Sequence, residues 1–344
     1  DKFENLKNKY VPISFQNLSY NYNKPEQLYD GWEVSDIANS GLDTVMIFGI
    51  VKDIMDGSFG EINSFQIVKD NKLILDEYFL SSGKNETHLL SSSTKSISSL
   101  ILGSIVEKYK IDLQASIFKY LPEYEDLKSE ESGKISLEDL LTMRLGYEKA
   151  DSYFPGNVDI FKYTLDRKVI ESPAQIFFYD NIAPNLIAPI VKNITKEYMD
   201  DYARDNVFNK MQIVEFDWEE GKQDGHPICQ GSLKLRARDF AKFGYLVLNN
   251  GKWNGTKVVS KSWIDRSTKI HATVNQKDRV FYGYLWWIME IENTRVIYSG
   301  GSGGQYCFIV PDHNMILSFT GNNFNNQKEY MLFDIVKMIV SCST

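Results

Sequence analysis

The chain has 344 residues, 43% of them apolar and 13% aromatic, and a formal net charge of −8. That length admits two domains, or one sheet-based domain carrying a large insertion, and the apolar share is enough to fill a core. The acidic balance, with no basic block anywhere, excludes nucleic acid or an anionic membrane as a natural partner, because neither is attracted to such a surface.

No apolar run approaches the roughly 20 residues that a bilayer-spanning helix needs. Cys229, Cys307 and Cys342 are too few and too scattered for a disulfide framework or a zinc site. His88, His226, His271 and His313 show no ligand spacing, so no metal and no other cofactor is expected. The chain starts at Asp1 without a methionine, which fits removal of an export signal or some other trimming. The expectation is an exported protein, periplasmic or extracytoplasmic, with a cytoplasmic one as the alternative. Nothing in the sequence speaks to oligomeric state.

In chain order, the first sixty residues are polar and aromatic, with a helix expected over 44–55. Residues 64–68 and 73–78 read as strands joined at Asp70-Asn71, a pair that tolerates left-handed dihedrals. Behind this hairpin, Ile97, Leu100, Ile101 and Ile105 follow helical spacing and predict a helix that buries one face. Short helical patterns then alternate with breakers at Pro122, Gly133, Gly146, Pro155 and Pro173. One of them, 135–141, is opened by Ser136 with acids in its first turn. A helix is expected over 238–248, stopped at Asn249-Asn250-Gly251. Strands follow at 282–288, 295–298, 306–310 and 315–320. The closing segment 329–341 carries Leu332, Ile335, Val336 and Ile339 on one face and predicts a helix covering the sheet.

Three segments carry chemistry. Ser-x-x-Lys occurs three times, at Ser81/Lys84, Ser92/Lys95 and Ser116/Lys119, and only Ser92 precedes a long apolar helix. There, Ser92 and Lys95 lie one turn apart on the same face, and the helix N-terminus favours developing negative charge. Burial at the head of such a helix pushes the Lys95 amine toward its neutral, basic form. Tyr179-Asp180-Asn181 is the chain's one Tyr-x-Asn, and it places a phenol and a carboxamide on one side of an extended or turning segment. The third segment, Ser299-Gly300-Gly301-Ser302-Gly303-Gly304-Gln305, allows close backbone approach and can offer N–H groups to an oxyanion. It also matches Gly-x-Ser-x-Gly around Ser302, but a strand follows where a nucleophile elbow requires a helix.

Taken in this order, the three segments resemble those of the β-lactamase-related, penicillin-recognising serine hydrolases: class C β-lactamases, DD-peptidases and related esterases and amide hydrolases. Tyr120-Leu121-Pro122-Glu123-Tyr124, Leu140-Leu141-Thr142-Met143 and the stretches 237–244 and 282–287 look like further parts of the same pattern, leaning toward the branch with 6-aminohexanoate-oligomer hydrolases. The resemblance implies an α/β (α+β) fold: an antiparallel sheet flanked by helices and built from both termini (1–85 and 277–344). A mainly helical domain (86–276) is inserted, with the site between the two. It implies an acyl-enzyme mechanism on a small ester or amide, with Ser92 as nucleophile and Lys95 with Tyr179 moving its proton. Which of the two is the resting base stays open. Asn181, Ser299, Gly301 and Ser302 are expected to bind substrate, with the N–H groups of Ser92 and Ser302 holding the oxyanion. The family's third segment usually carries Lys or His where this chain has Ser299. That departure predicts poor recognition of anionic β-lactams, and it supports the alternative of a penicillin-binding or sensor-like protein without turnover.

Overall fold

The computed structural model describes residues 19–150, 158–221 and 225–342. A two-residue strand, β1 (Glu33–Val34), leads into helix α1 (Thr44–Met55), which spans the residues expected of it. Asp43 starts this helix by accepting from the Met46 N–H. Strands β2 (Ile62–Lys69) and β3 (Lys72–Tyr78) then form the predicted hairpin, and Asp70 and Asn71 take the positive φ values of 49° and 67° that its two-residue turn requires.

The remaining strands of the large sheet come from the far end of the chain: β4 (Ala272–Asn275), β5 (Val280–Tyr282), β6 (Trp287–Ile291), β7 (Thr294–Gly301), β8 (Gln305–Val310) and β9 (Met315–Gly321). With the first three they make a nine-stranded sheet in the order β1-β3-β2-β9-β8-β7-β6-β5-β4. The two ends of the chain meet where Ile316 of β9 pairs with Val68 of β2. Only β1 against β3 is parallel.

Both faces of the sheet are covered, so its central strands are apolar on both sides. Phe65, Phe308 and Leu317 pack with α1 and with helix α4 (Leu332–Ser341), whose Leu332, Ile335, Val336 and Ile339 form the predicted stripe. The alternate residues Ile309 and Ile316 pack with Phe240, Phe243 and Leu246 of helix α3 (Ala237–Leu248). Each such side chain contributes about 1.5–3 kcal/mol on burial. The sheet also takes in β4, just ahead of residue 277. We retain as a proposal the division into a sheet unit (1–85 with 277–344) and a helical unit (86–276), of which residues 1–18 lie outside the described residues.

Four expectations shift. The strand read over 282–288 is two strands, because the chain reverses in a hairpin at Gly283–Trp286, where Tyr282 pairs with Trp287 and the Gly283 N–H donates to the Trp286 carbonyl at 2.8 Å. Leu285, at φ 60°, donates its N–H to the Leu141 carbonyl at 2.9 Å and accepts from Ser96 Oγ at 2.6 Å. These bonds to two helices hold the hairpin turn in place. The short helix expected from 135 begins at Leu137, where Ser136 and Asp139 close a capping box. The last helix begins at Leu332 after a 3-10 turn, Gln327–Met331.

The fourth concerns helix α2 (Ser93–Val106), which was expected to bury one face. Every residue from Ser93 to Gly103 is buried, since α2 runs between β7 and the helices Ile187–Thr195 and Lys261–Ser267. Its serines and Gly103 allow that close approach. A Cβ at Gly103 would lie 2.2 Å from the ring of Trp263, which is itself 1% exposed and has nowhere to move. Gly103→Ala gains about 1 kcal/mol of helix propensity against an overpacking cost of about 1–3 kcal/mol. The expected outcome is net destabilisation, read as a lower urea midpoint; a raised midpoint would contradict this packing.

Candidate active site

A small three-stranded sheet sets the entry to α2. Thr87–Leu89 pairs with Leu233–Arg236, which also pairs with Phe216–Trp218, and the Leu90 N–H continues the ladder to the Leu233 carbonyl at 2.9 Å. Ser91 then takes a left-handed φ of 46°, unusual for serine, and turns the chain into the helix. Ser92 is the N-cap, yet its hydroxyl caps nothing. It accepts instead from Lys95 Nζ, 2.8 Å away, and remains partly open to solvent.

Lys95 is 1% exposed. Its other acceptors are the Gln230 carbonyl at 2.7 Å and, more distantly, Asn181 Oδ1 at 3.4 Å. Burial pulls its pKa down to about 7, against the opposing pull of Asp180. The Asp180 carboxylate is itself occupied: it pairs with Arg167 at 2.7 Å, both side chains being nearly inaccessible, and accepts the Ile182 and Ala183 N–H groups at 2.9 and 3.0 Å. Lys95 therefore sits among neutral oxygens with no carboxylate of its own.

Tyr179 stacks on Trp287, centroids 5.4 Å apart, with Tyr282 edge-on behind it. Burial raises its pKa, and a hydrogen bond with Ser92 acts in the other direction. The phenol, the amine and the hydroxyl thus meet around Ser92, and the Lys95 amine lies 5.4 Å from the Tyr179 ring centroid. A cavity of about 540 Å³ opens over them, walled by Ser92, Lys95, Tyr179, Asn181, Phe178, Ile182, Ile228 and Gln230, with Lys149 and Glu219 among its other lining residues.

The third segment is placed differently from the first two. Gly301 ends β7 directly against the turn at Ser91-Ser92: a Cβ there would stand 2.3 Å from the Leu90 carbonyl oxygen and 3.1 Å from the Ser92 nitrogen. Ser302 is exposed on the β7–β8 turn. Ser299 is 1% exposed, and its hydroxyl has no hydrogen-bond partner among the described residues. None of these three lines the cavity just described. Sequence reasoning missed Arg167, Asn185 and Gln230. Their pairings span 13, 45 and 135 positions, and no local periodicity signals them.

The family model described as Beta-lactamase matches residues 63–334. A 6-aminohexanoate-dimer hydrolase of Paenarthrobacter ureafaciens is 21% identical over 285 residues, covering 74% of this chain and 71% of that protein. Among solved structures, a Bacillus anthracis protein provisionally named 6-aminohexanoate-dimer hydrolase superposes with a TM-score of 0.74 at 21% identity, covering 85% of this chain and 81% of that one. EstCE1, a hydrolase with promiscuous acyltransferase activity, gives a TM-score of 0.71 at 12% identity, covering 88% of this chain and 100% of its own.

The contact at Gly301 yields a prediction, because the atoms met there are backbone and cannot swing aside. Gly301→Ala displaces β7 from Ser92, and a misplacement of about 1 Å costs on the order of 100-fold. The rate at which a serine-directed fluorophosphonate labels the protein should fall by that order, while an unchanged rate would show that this contact does not shape the site.

Proposed function

The chain belongs to the β-lactamase family, and on that premise we propose that it is a serine hydrolase acting through an acyl-enzyme on a small ester or amide. The observation that carries the reading is the buried Lys95 amine 2.8 Å from a partly open Ser92 hydroxyl. Ser92 Oγ attacks the substrate carbonyl as its proton passes to Lys95. The Ser92 and Ser302 N–H groups hold the oxyanion, Tyr179 delivers a proton to the leaving group and takes one back from the Lys95 ammonium, and Asn181 orients the substrate. Water then attacks the acyl-enzyme and the proton path runs in reverse.

The two bases left open by the sequence are separated by the direction of their shifts. Burial makes the neutral amine of Lys95 cheap near neutral pH, and the same burial makes the Tyr179 phenolate expensive. We assign Lys95 as the resting base and Tyr179 as the phenol that donates. The similarity to 6-aminohexanoate-dimer hydrolases and to an esterase supports an amide or ester as substrate. The buried, neutral Ser299 supports uncharged substrates over anionic β-lactams.

Two experiments test the reading. A fluorophosphonate should label Ser92, located by peptide mass spectrometry, and Ser92→Ala should take no label; label retained in that variant, or found on Ser302, defeats the assignment. Labelling with no steady turnover of any simple ester would favour the sensor-like alternative. The second test is pH dependence. The base works as the neutral amine and its pKa is lowered to about 7, so kcat/KM should rise through that pH and level off above it. Lys95→Ala should lower the rate about 100-fold or more and remove this limb.

A further inference from the structure

A neutral lysine amine has two N–H bonds and one lone pair. The three oxygens around Lys95 Nζ are not equivalent: the Gln230 carbonyl at 2.7 Å and Asn181 Oδ1 at 3.4 Å only accept, whereas the Ser92 hydroxyl at 2.8 Å can also donate. When the two carbonyl oxygens take the two N–H groups, the lone pair is left pointing at the Ser92 proton. The aim of the base therefore depends on where those two carbonyls stand.

Both are held from one turn, residues 180–186. The Asp180 carboxylate, paired with Arg167, accepts the N–H groups of Ile182 and Ala183 and so fixes the turn that carries Asn181. Asn185 follows on the 3-10 turn Ala183–Leu186, with 2% exposure. Its carboxamide meets residue 230 at both ends: Nδ2 donates to Gln230 Oε1 at 2.8 Å, and Oδ1 accepts the Gln230 N–H at 3.0 Å. Two bonds to one residue fix its orientation as well as its position. Cys229, next to it, is fully buried and anchors the segment on the other side.

We propose that Asn185 is a positioning residue which, by clamping Gln230, holds the Gln230 carbonyl on Lys95 and thereby turns the amine lone pair toward Ser92. The inference rests on the reading of Lys95 as base. It assigns to Asn185 and the Gln230 side chain a part in the reaction although the Asn185 carboxamide bonds Gln230 and not the reacting atoms.

The test is steady-state kinetics across pH with a neutral activated ester, on Asn185→Ala, Gln230→Ala, the double variant and Lys95→Ala. Asn185→Ala removes both clamp bonds and should lower kcat about 10-fold to 100-fold with little change in KM. Gln230→Ala keeps the backbone bond to Asn185, so its loss should be smaller, and its half-exposed side chain makes it the variant least prone to misfold. The double variant should be no worse than Asn185→Ala, because both changes break one device. The midpoint of the acid limb should stay or fall, since the ammonium form also loses an acceptor. A midpoint that rises toward the ordinary lysine value would mean Asn185 merely keeps water out, and overturns the proposal. So does an unchanged kcat in Asn185→Ala while Lys95→Ala still abolishes the limb. If Lys95→Ala keeps the wild-type limb, the base assignment itself has failed and the clamp falls with it.

Discussion

The site depends on burying a lysine without giving it a carboxylate. A second buried lysine shows the contrast. Lys242 is also inaccessible, but Asp239, one turn back on the same helix α3, stands 2.7 Å from its amine, which also donates to the Met211 and Gln212 carbonyls. Lys95 has only carbonyl and hydroxyl oxygens, and the carboxylate nearest to hand, Asp180, is already matched by Arg167. Burial lowers the pKa of both amines, but at Lys242 the Asp239 carboxylate opposes it directly, whereas Lys95, among neutral acceptors, is brought down to about 7. Arg167 thus belongs to the same arrangement as Lys95, because an unmatched Asp180 would draw the proton back.

Holding an amine in this state requires rigid surroundings, and the fold supplies them through small residues. Helix α2 is buried on all sides from Ser93 to Gly103, which is possible only because Ser96, Ser98, Ser99 and Gly103 leave room for neighbours to press against its backbone. Gly301 does the same for β7 at the head of the helix. The turn at Leu285 links the helix, through Ser96, to the helix Leu137–Leu141 and to the sheet. Each contact forgoes a side chain's worth of burial and gains a closely held backbone, which is what proton transfer over a hydrogen-bond distance demands.

Tyr179 is fixed by different means. Its ring is stacked on Trp287 and bordered by Tyr282, residues at the end of β6 and of β5, so a break in the predicted strand is what brings two aromatic rings to the site. Phe177 packs against Tyr282 from the same segment. The phenol is thus carried by an irregular stretch but oriented by the ends of two sheet strands, and burial keeps it protonated.

Local patterns in the sequence determined much of this. The hairpin at Asp70-Asn71, the extent of α1, the cap at Ser136, the apolar stripe of α4 and the placement of Ser92 and Lys95 at the head of a long helix all follow from spacing and residue type within a few positions. Such features are encoded by neighbours in the chain, and neighbours are visible in a line of letters. Tertiary structure alone decided the rest. That α2 is buried all round, that 282–288 breaks at Gly283, that Ser299 turns inward away from the cavity, and that Gln230 closes the ring around Lys95 each depend on a partner from a remote element. A carbonyl 135 positions away carries no side-chain signature, since every residue has one; only the folded chain selects which of them faces the amine.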